Sequence, residues 1–183
     1  MKSEENSMLD KELILKRSAI DRRVMELGRE ITEDYSGKDL VVIGVLKGAF
    51  VFLADLIRAV DLDIAIDFLQ VASYGQGHMS SGAVKISKDI DLDIAGKDVL
   101  IVEDILDTGH TLVWLAEFLA ARQPQSIRSC VLNDKQERLE VDVRADYTGF
   151  VVDKGFLIGC GLDYGEKYRH YPDVYSLVIR ETD

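Results

Sequence analysis

The sequence predicts an α/β fold with a mainly parallel sheet flanked by helices, and three observations lead there. Residues 40–46 (LVVIGVL) and 99–102 (VLIV) are short, continuous apolar runs, as strands buried on both faces require. Each is followed by a turn and a helical pattern, 50–60 and 112–122, so strand and helix alternate as parallel crossovers do. Chemistry-bearing residues then cluster at the strand ends: Lys47-Gly48, Glu103-Asp104 and, after a third strand at 127–132, Asn133-Asp134-Lys135. Open α/β sheets place ligands at that end of their strands.

In order, residues 8–35 are charged, with Ile20, Val24, Leu27 and Ile31 spaced as one helical stripe, and Tyr35-Ser36-Gly37 ends that helix. Arg22, Arg23 and Glu26 belong to its solvated face. The strand at 40–46 delivers Lys47, which is either a cation for a ligand phosphate or an ordinary loop lysine, and Gly48, which permits close backbone approach. Residues 61–73 begin by alternating acidic and apolar residues, as in a half-exposed strand. Residues 73–82 carry three glycines and three serines, and 84–90 read as a second strand. The loop between them either joins two antiparallel strands or serves as a lid that excludes water. Pro124 closes the helix at 112–122, further strands are expected at 147–152 and 173–180, and 161–169 is rich in glycine and aromatic residues.

A chain of 183 residues, 47% hydrophobic, suggests a single domain. The net charge of -11 argues against nucleic acid as partner, because phosphate-backbone affinity comes from clustered Lys and Arg. Cys130 and Cys160 have no CxxC or Cys/His company and read as two free buried thiols. No signal-peptide core and no membrane-length apolar run is present, so the expected location is the cytoplasm, without membrane contact.

The segment VLIVEDILDTGHTL (99–112) is the centre of the functional reading. Its strand is expected to end at Glu103 and Asp104, adjacent acids that need metal, hydrogen-bond donors or solvent as compensation. Asp107, Thr108, Gly109, His110 and Thr111 then form a turn into a helix, which can aim backbone N–H groups at an anion, with the helix dipole assisting.

This stretch resembles the phosphoribosyl pyrophosphate motif of purine phosphoribosyltransferases, specifically the hypoxanthine (hypoxanthine-guanine) phosphoribosyltransferases. VLKGAF (45–50) is similar to their pyrophosphate loop, Ser73-Tyr74 to the opening of their flexible catalytic loop, LNDK to the segment ending in their purine-reading lysine, and KGFLIGCGLDYGEKYR to their purine-binding hood. The motifs run in the family's order from about residue 13 onward.

The resemblance implies a type I phosphoribosyltransferase fold: one domain over 1–183, with a small hood built from about 1–36 and 153–183. It implies purine salvage, in which 5-phosphoribosyl passes from phosphoribosyl pyrophosphate to a 6-oxopurine, with Mg²⁺ as cofactor. Asp107 is then the catalytic base, and Glu103, Asp104, Asp107 and Thr108 to Thr111 bind the phosphoribosyl group. Leu46, Lys47, Gly48, Ser73, Tyr74 and Arg169 take the pyrophosphate; Lys135, Phe156, Leu157 and Asp163 take the purine; Glu103, Asp104 and Asp163 meet metal. His110 contributes main chain only, and His78 and His170 are not ligands. The family further implies a homodimer or homotetramer. The alternatives are a non-catalytic sensor of phosphoribosyl pyrophosphate and purine, or a relative preferring guanine or xanthine.

Overall fold

The computed structural model describes residues 10–73, 84–153 and 155–178. Among the described residues, nine strands and three α-helices follow in the order β1 (Lys11–Leu15), α1 (Arg17–Asp34), β2 (Leu40–Leu46), α2 (Phe50–Ala59), β3 (Ala65–Ser73), β4 (Val84–Lys88), β5 (Asp98–Leu106), α3 (His110–Ala120), β6 (Ser126–Asp134), β7 (Tyr147–Val151), β8 (Phe156–Ile158) and β9 (Val174–Leu177). The main sheet has the order β4-β3-β2-β5-β6-β7 and is parallel except at β4, which runs antiparallel to β3. This is the mainly parallel α/β architecture the sequence predicts.

The two continuous apolar runs take the centre of the sheet because both their faces are covered. Val42, Leu100, Val102, Cys130 and Leu132 meet Ile20, Val24, Leu27 and Ile31 of α1 and Phe52, Leu53 and Leu56 of α2. The alternate residues Val41, Ile43, Val99, Ile101 and Val131 meet Leu112, Leu115 and Leu119 of α3. Period-two alternation of the strands and helical stripes thus meet on two faces of one sheet. Both cysteines are free and buried.

Four sequence expectations need correction. The helix expected over 8–35 begins at Arg17, because Lys11–Leu15 pairs antiparallel with β9 and commits its backbone to a sheet. The strand expected to break at Glu103 continues to Leu106, since β6 offers it parallel partners: Glu103 lies opposite Val131, Ile105 opposite Asn133 and Leu106 opposite Asp134. The strand over 61–73 begins only at Ala65, and α3 starts at His110 rather than Leu112. The loop expected over 73–82 falls, beyond Ser73, outside the described residues.

A second, three-stranded sheet of order β1-β9-β8 is antiparallel throughout. Its middle strand is tied to the main body through Asp173, whose Oδ1 accepts a 2.7 Å hydrogen bond from the Arg17 amide, while the Arg17 guanidinium pairs with Asp55 of α2 at 2.8 Å. Arg17 therefore links the segment entering β9 to α2 at the start of α1.

Candidate active site

The carboxyl ends of β2, β5 and β6 and the start of β8 bring most of the anticipated residues together. Glu103, Asp104, Asp107, Thr108, Gly109 and Thr111 line one cleft of about 210 Å³. Its floor is the start of α3, where Gly109 caps the helix with a φ of 89°. The first amides of a helix have no intrahelical acceptor, so they are free to meet an anion in the cleft. The Thr108 carbonyl faces the other way and accepts the Glu140 amide at 3.0 Å. His110 pairs with Glu140 through Nε2 at 3.0 Å.

Glu103 is buried, and that burial, reinforced by the neighbouring Asp104 charge, raises its pKa to about 8. Asp104 is raised to about 6, chiefly by burial, with Arg169 opposing and Asp163 adding to the rise. Strand alternation directs these adjacent side chains apart. Asp104 packs against Gly48, where a Cβ would collide with its carboxylate. Among the described residues, no three His, Cys, Asp or Glu side chains converge to hold a metal, so Glu103, Asp104 and Asp163 do not form a common cage.

Asp107 sits between two cations, with Arg138 Nε at 3.1 Å and Lys135 Nζ at 3.8 Å. Lys135 is buried at the end of β6, and its Nζ donates to the Gly155 carbonyl at 2.7 Å. Burial lowers its pKa, against the raising effect of Asp107. That bond leads directly to Phe156, which is 46% exposed and meets Tyr164 edge-on at 5.6 Å. Leu157 turns its side chain inward, and its backbone pairs with Ser176 of β9.

The pyrophosphate-loop candidates lie beside Asp104, whose carboxylate Gly48 abuts. The Leu46–Lys47 peptide is cis, and the exposed Lys47 Nζ pairs with Glu166 at 2.9 Å. Arg169 pairs with Asp163 at 2.8 Å and Glu166 at 3.3 Å, and donates to the Gly161 carbonyl at 2.8 Å. Gly161 itself lies so close to the Gly48 carbonyl that a Cβ there would overlap it. Two loops more than one hundred residues apart in sequence are thus locked backbone to backbone. Ser73 ends β3 opposite Val84, and Tyr74 lies outside the described residues.

Sequence reasoning missed Glu166, Arg138 and Glu140, and it placed Asn133 at the strand end without giving it a role. Glu166 stands three residues before Arg169, a spacing that could have flagged it. Arg138 and Glu140 carry no local signal, because their partners belong to the turn after β5. Asn133 is fully buried, and its side-chain amide donates to the Asp104 carbonyl at 2.9 Å, steadying the acid pair from behind.

A phosphoribosyl transferase domain model matches residues 11–165. The chain is 52% identical over 166 residues to a hypoxanthine-guanine phosphoribosyltransferase of Aquifex aeolicus, covering 90% of this chain and 93% of that one. It is 46% identical over 170 residues to a hypoxanthine phosphoribosyltransferase of Salmonella typhimurium, covering 92% and 96%. A crystal structure of a hypoxanthine phosphoribosyltransferase from Staphylococcus aureus superimposes with a TM-score of 0.89 at 42% identity, over 96% of this chain and 97% of that one. With the acid pair and the helix-borne turn lining one cleft and the lysine after β6 reaching Asp107, these likenesses establish that the chain belongs to the hypoxanthine (hypoxanthine-guanine) phosphoribosyltransferases of the phosphoribosyl transferase family.

Proposed function

We propose that this enzyme serves purine salvage by transferring 5-phosphoribosyl from phosphoribosyl pyrophosphate to N9 of hypoxanthine, with guanine as a second substrate, giving IMP or GMP and pyrophosphate. The observation that carries the reading is the line of contacts from Asp107 through Lys135 to Gly155, which joins the phosphate-binding turn to the segment bearing Phe156. In this reading the amides and hydroxyls of Asp107 to Thr111 hold the 5′-phosphate, and Glu103 and Asp104 face the ribose hydroxyls. Phe156 stacks on the purine, Leu157 offers main-chain groups at its edge, and the small β1-β9-β8 sheet with its flanking loops acts as the hood of a single domain.

In the reaction the bond from C1′ to pyrophosphate oxygen breaks, the bond from C1′ to N9 forms, and the purine loses a ring proton. Asp107 takes or steadies that proton near N7. The ribose gains positive character as the leaving group gains negative charge, so carboxylates beside the sugar and cations beside the pyrophosphate both favour the transition state. Lys47 and Arg169 supply the cations, and Ser73 and Tyr74 complete that subsite. Lys135 donates to purine O6. Adenine presents an amino donor at that position, and two donors facing each other cost about 1–3 kcal/mol.

Mg²⁺ fits the carboxylates present. Two adjacent acids, both raised by burial, Glu103 further by Asp104 and Asp104 further by Asp163, favour a nearby cation, and Mg²⁺ ordinarily takes one or two carboxylates with substrate phosphates and waters. Glu103 or Asp104 would hold it, one from each face of β5, with Asp163 joining through water, since Asp163 already accepts from Arg169 and from the Glu166 amide. When bound it neutralises phosphate charge.

The assembly consistent with this reading is a homodimer or homotetramer in the cytoplasm, and light scattering on the purified chain counts the subunits. Among the described residues no helix is long and apolar enough to cross a membrane. The decisive experiment mixes purified protein, Mg²⁺ and phosphoribosyl pyrophosphate with hypoxanthine, guanine, xanthine or adenine and compares kcat/KM. Pyrophosphate release with hypoxanthine and little with adenine is expected. No release with any purine would leave a sensor in place of an enzyme.

A further inference from the structure

The two cations assigned above to pyrophosphate already share an anion supplied by the chain itself. Glu166 Oε2 lies 2.9 Å from Lys47 Nζ and 3.3 Å from the Arg169 guanidinium, so a single oxygen bridges a cation of the loop after β2 and a cation of the 161–169 segment. Its pKa is lowered by Lys47 first and by Arg169 second, so both contacts favour the charged form.

Three features separate this from an incidental surface pair. Glu166 has a φ of 65°, a left-handed conformation that a non-glycine residue adopts at a cost, and its amide is held by Asp163 Oδ2 at 2.8 Å. Asp163 also grips Arg169 at 2.8 Å, so the backbone turn that presents Glu166 is built by the same residues that present Arg169. The cations are brought within reach of one oxygen by the contact between Gly48 and Gly161, which leaves no room for a Cβ. Glu166 is itself 65% exposed in its side chain, so it can swing away without breaking any core packing.

We infer that Glu166 is an internal counter-anion which occupies the pyrophosphate cations when the site is empty and must leave when a diphosphate enters. This rests on the assignment of Lys47 and Arg169 to pyrophosphate. A carboxylate carries one negative charge and a diphosphate several, so a diphosphate displaces Glu166 where a singly charged ligand competes poorly. The device disfavours occupancy by weaker anions, and its return after reaction helps expel the product pyrophosphate.

The test measures binding of inorganic pyrophosphate by calorimetry, with Mg²⁺ present, to the wild type, Glu166→Gln, Glu166→Gly, Lys47→Ala and Lys47→Ala/Glu166→Gln, alongside steady-state kinetics. Both Glu166 variants are expected to bind pyrophosphate about three- to tenfold more tightly, as loss of two partly exposed ion pairs allows. KM for phosphoribosyl pyrophosphate should fall in step, with KM for hypoxanthine unmoved. Glycine suits the left-handed backbone, so agreement between the two variants isolates charge from fold. The gain should shrink in the Lys47→Ala background. Unchanged or weaker pyrophosphate binding in Glu166→Gln and Glu166→Gly, with Lys47→Ala still weakening it, overturns the counter-anion alone. Unchanged binding in Lys47→Ala overturns the pyrophosphate assignment and the inference with it.

Discussion

The two walls of the cleft are built by different means. The wall proposed to hold the 5′-phosphate is one uninterrupted stretch, from Asp98 at the start of β5 to Ala120 at the end of α3, and helix geometry places its free backbone amides. The second wall, as proposed, is assembled from Lys47, Lys135, Phe156 and Arg169, residues on four separate segments held by ion pairs and loop contacts. A backbone cradle tolerates side-chain change, whereas a wall made of side chains is tuned or lost one residue at a time. The difference teaches that affinity for the 5′-phosphate should be robust, and that purine choice and pyrophosphate handling should respond to point mutation.

The sharpest break between the walls is expected at Asp107, which belongs to the first and faces the second. Asp107→Asn should lower kcat about 100-fold or more, because the proposed proton transfer loses its base, while titration still shows phosphoribosyl pyrophosphate binding. An unchanged kcat would remove the residue from the chemistry.

Gly161→Ala tests the seam itself. The added methyl meets the Gly48 carbonyl at a φ of 98°, and a loss of about 2–4 kcal/mol should appear as a lower denaturation midpoint. Retained stability would mean that the loops are free to part.

Lys135→Ala acts chiefly on the second wall, although it also removes a cation 3.8 Å from Asp107. It should cut kcat/KM for hypoxanthine by about 10–200-fold and leave phosphoribosyl pyrophosphate binding nearly intact. Equal loss for both ligands would instead mark Lys135 as a strut holding Gly155.

The smallest effect is expected at Asp173→Ala, which frees the Arg17 amide from the small sheet. The cost is about 1 kcal/mol in equilibrium unfolding, as for loss of a helix-terminal acceptor. No measurable change would assign the docking of that sheet to packing alone.

Much of the molecule was legible because its signals are local. The runs at Leu40–Leu46 and within Asp98–Leu106 carry their burial in composition, and the stripe Ile20, Val24, Leu27, Ile31 carries its helix in spacing. The acid pair, the turn and Lys135 were found in the same way. What was misread is non-local. Lys11–Leu15 became a strand because Val174–Leu177, more than 150 residues away, lies beside it. Glu103 stayed within a strand because β6 extends far enough to pair with it, and a charged side chain does not stop a backbone ladder whose partner continues.

By itself, then, the sequence determined the α/β class, the order of the motifs and the chemical types brought to the strand ends, since these depend on periodicity and on the residue types themselves. Tertiary structure alone decided that Glu103 would be buried beside Asp104, that Arg138 would reach Asp107, and that Glu166 would bridge Lys47 and Arg169. The reason is physical: burial, and the distance between charges on separate segments, are properties of the folded packing, and no local run of residues encodes them.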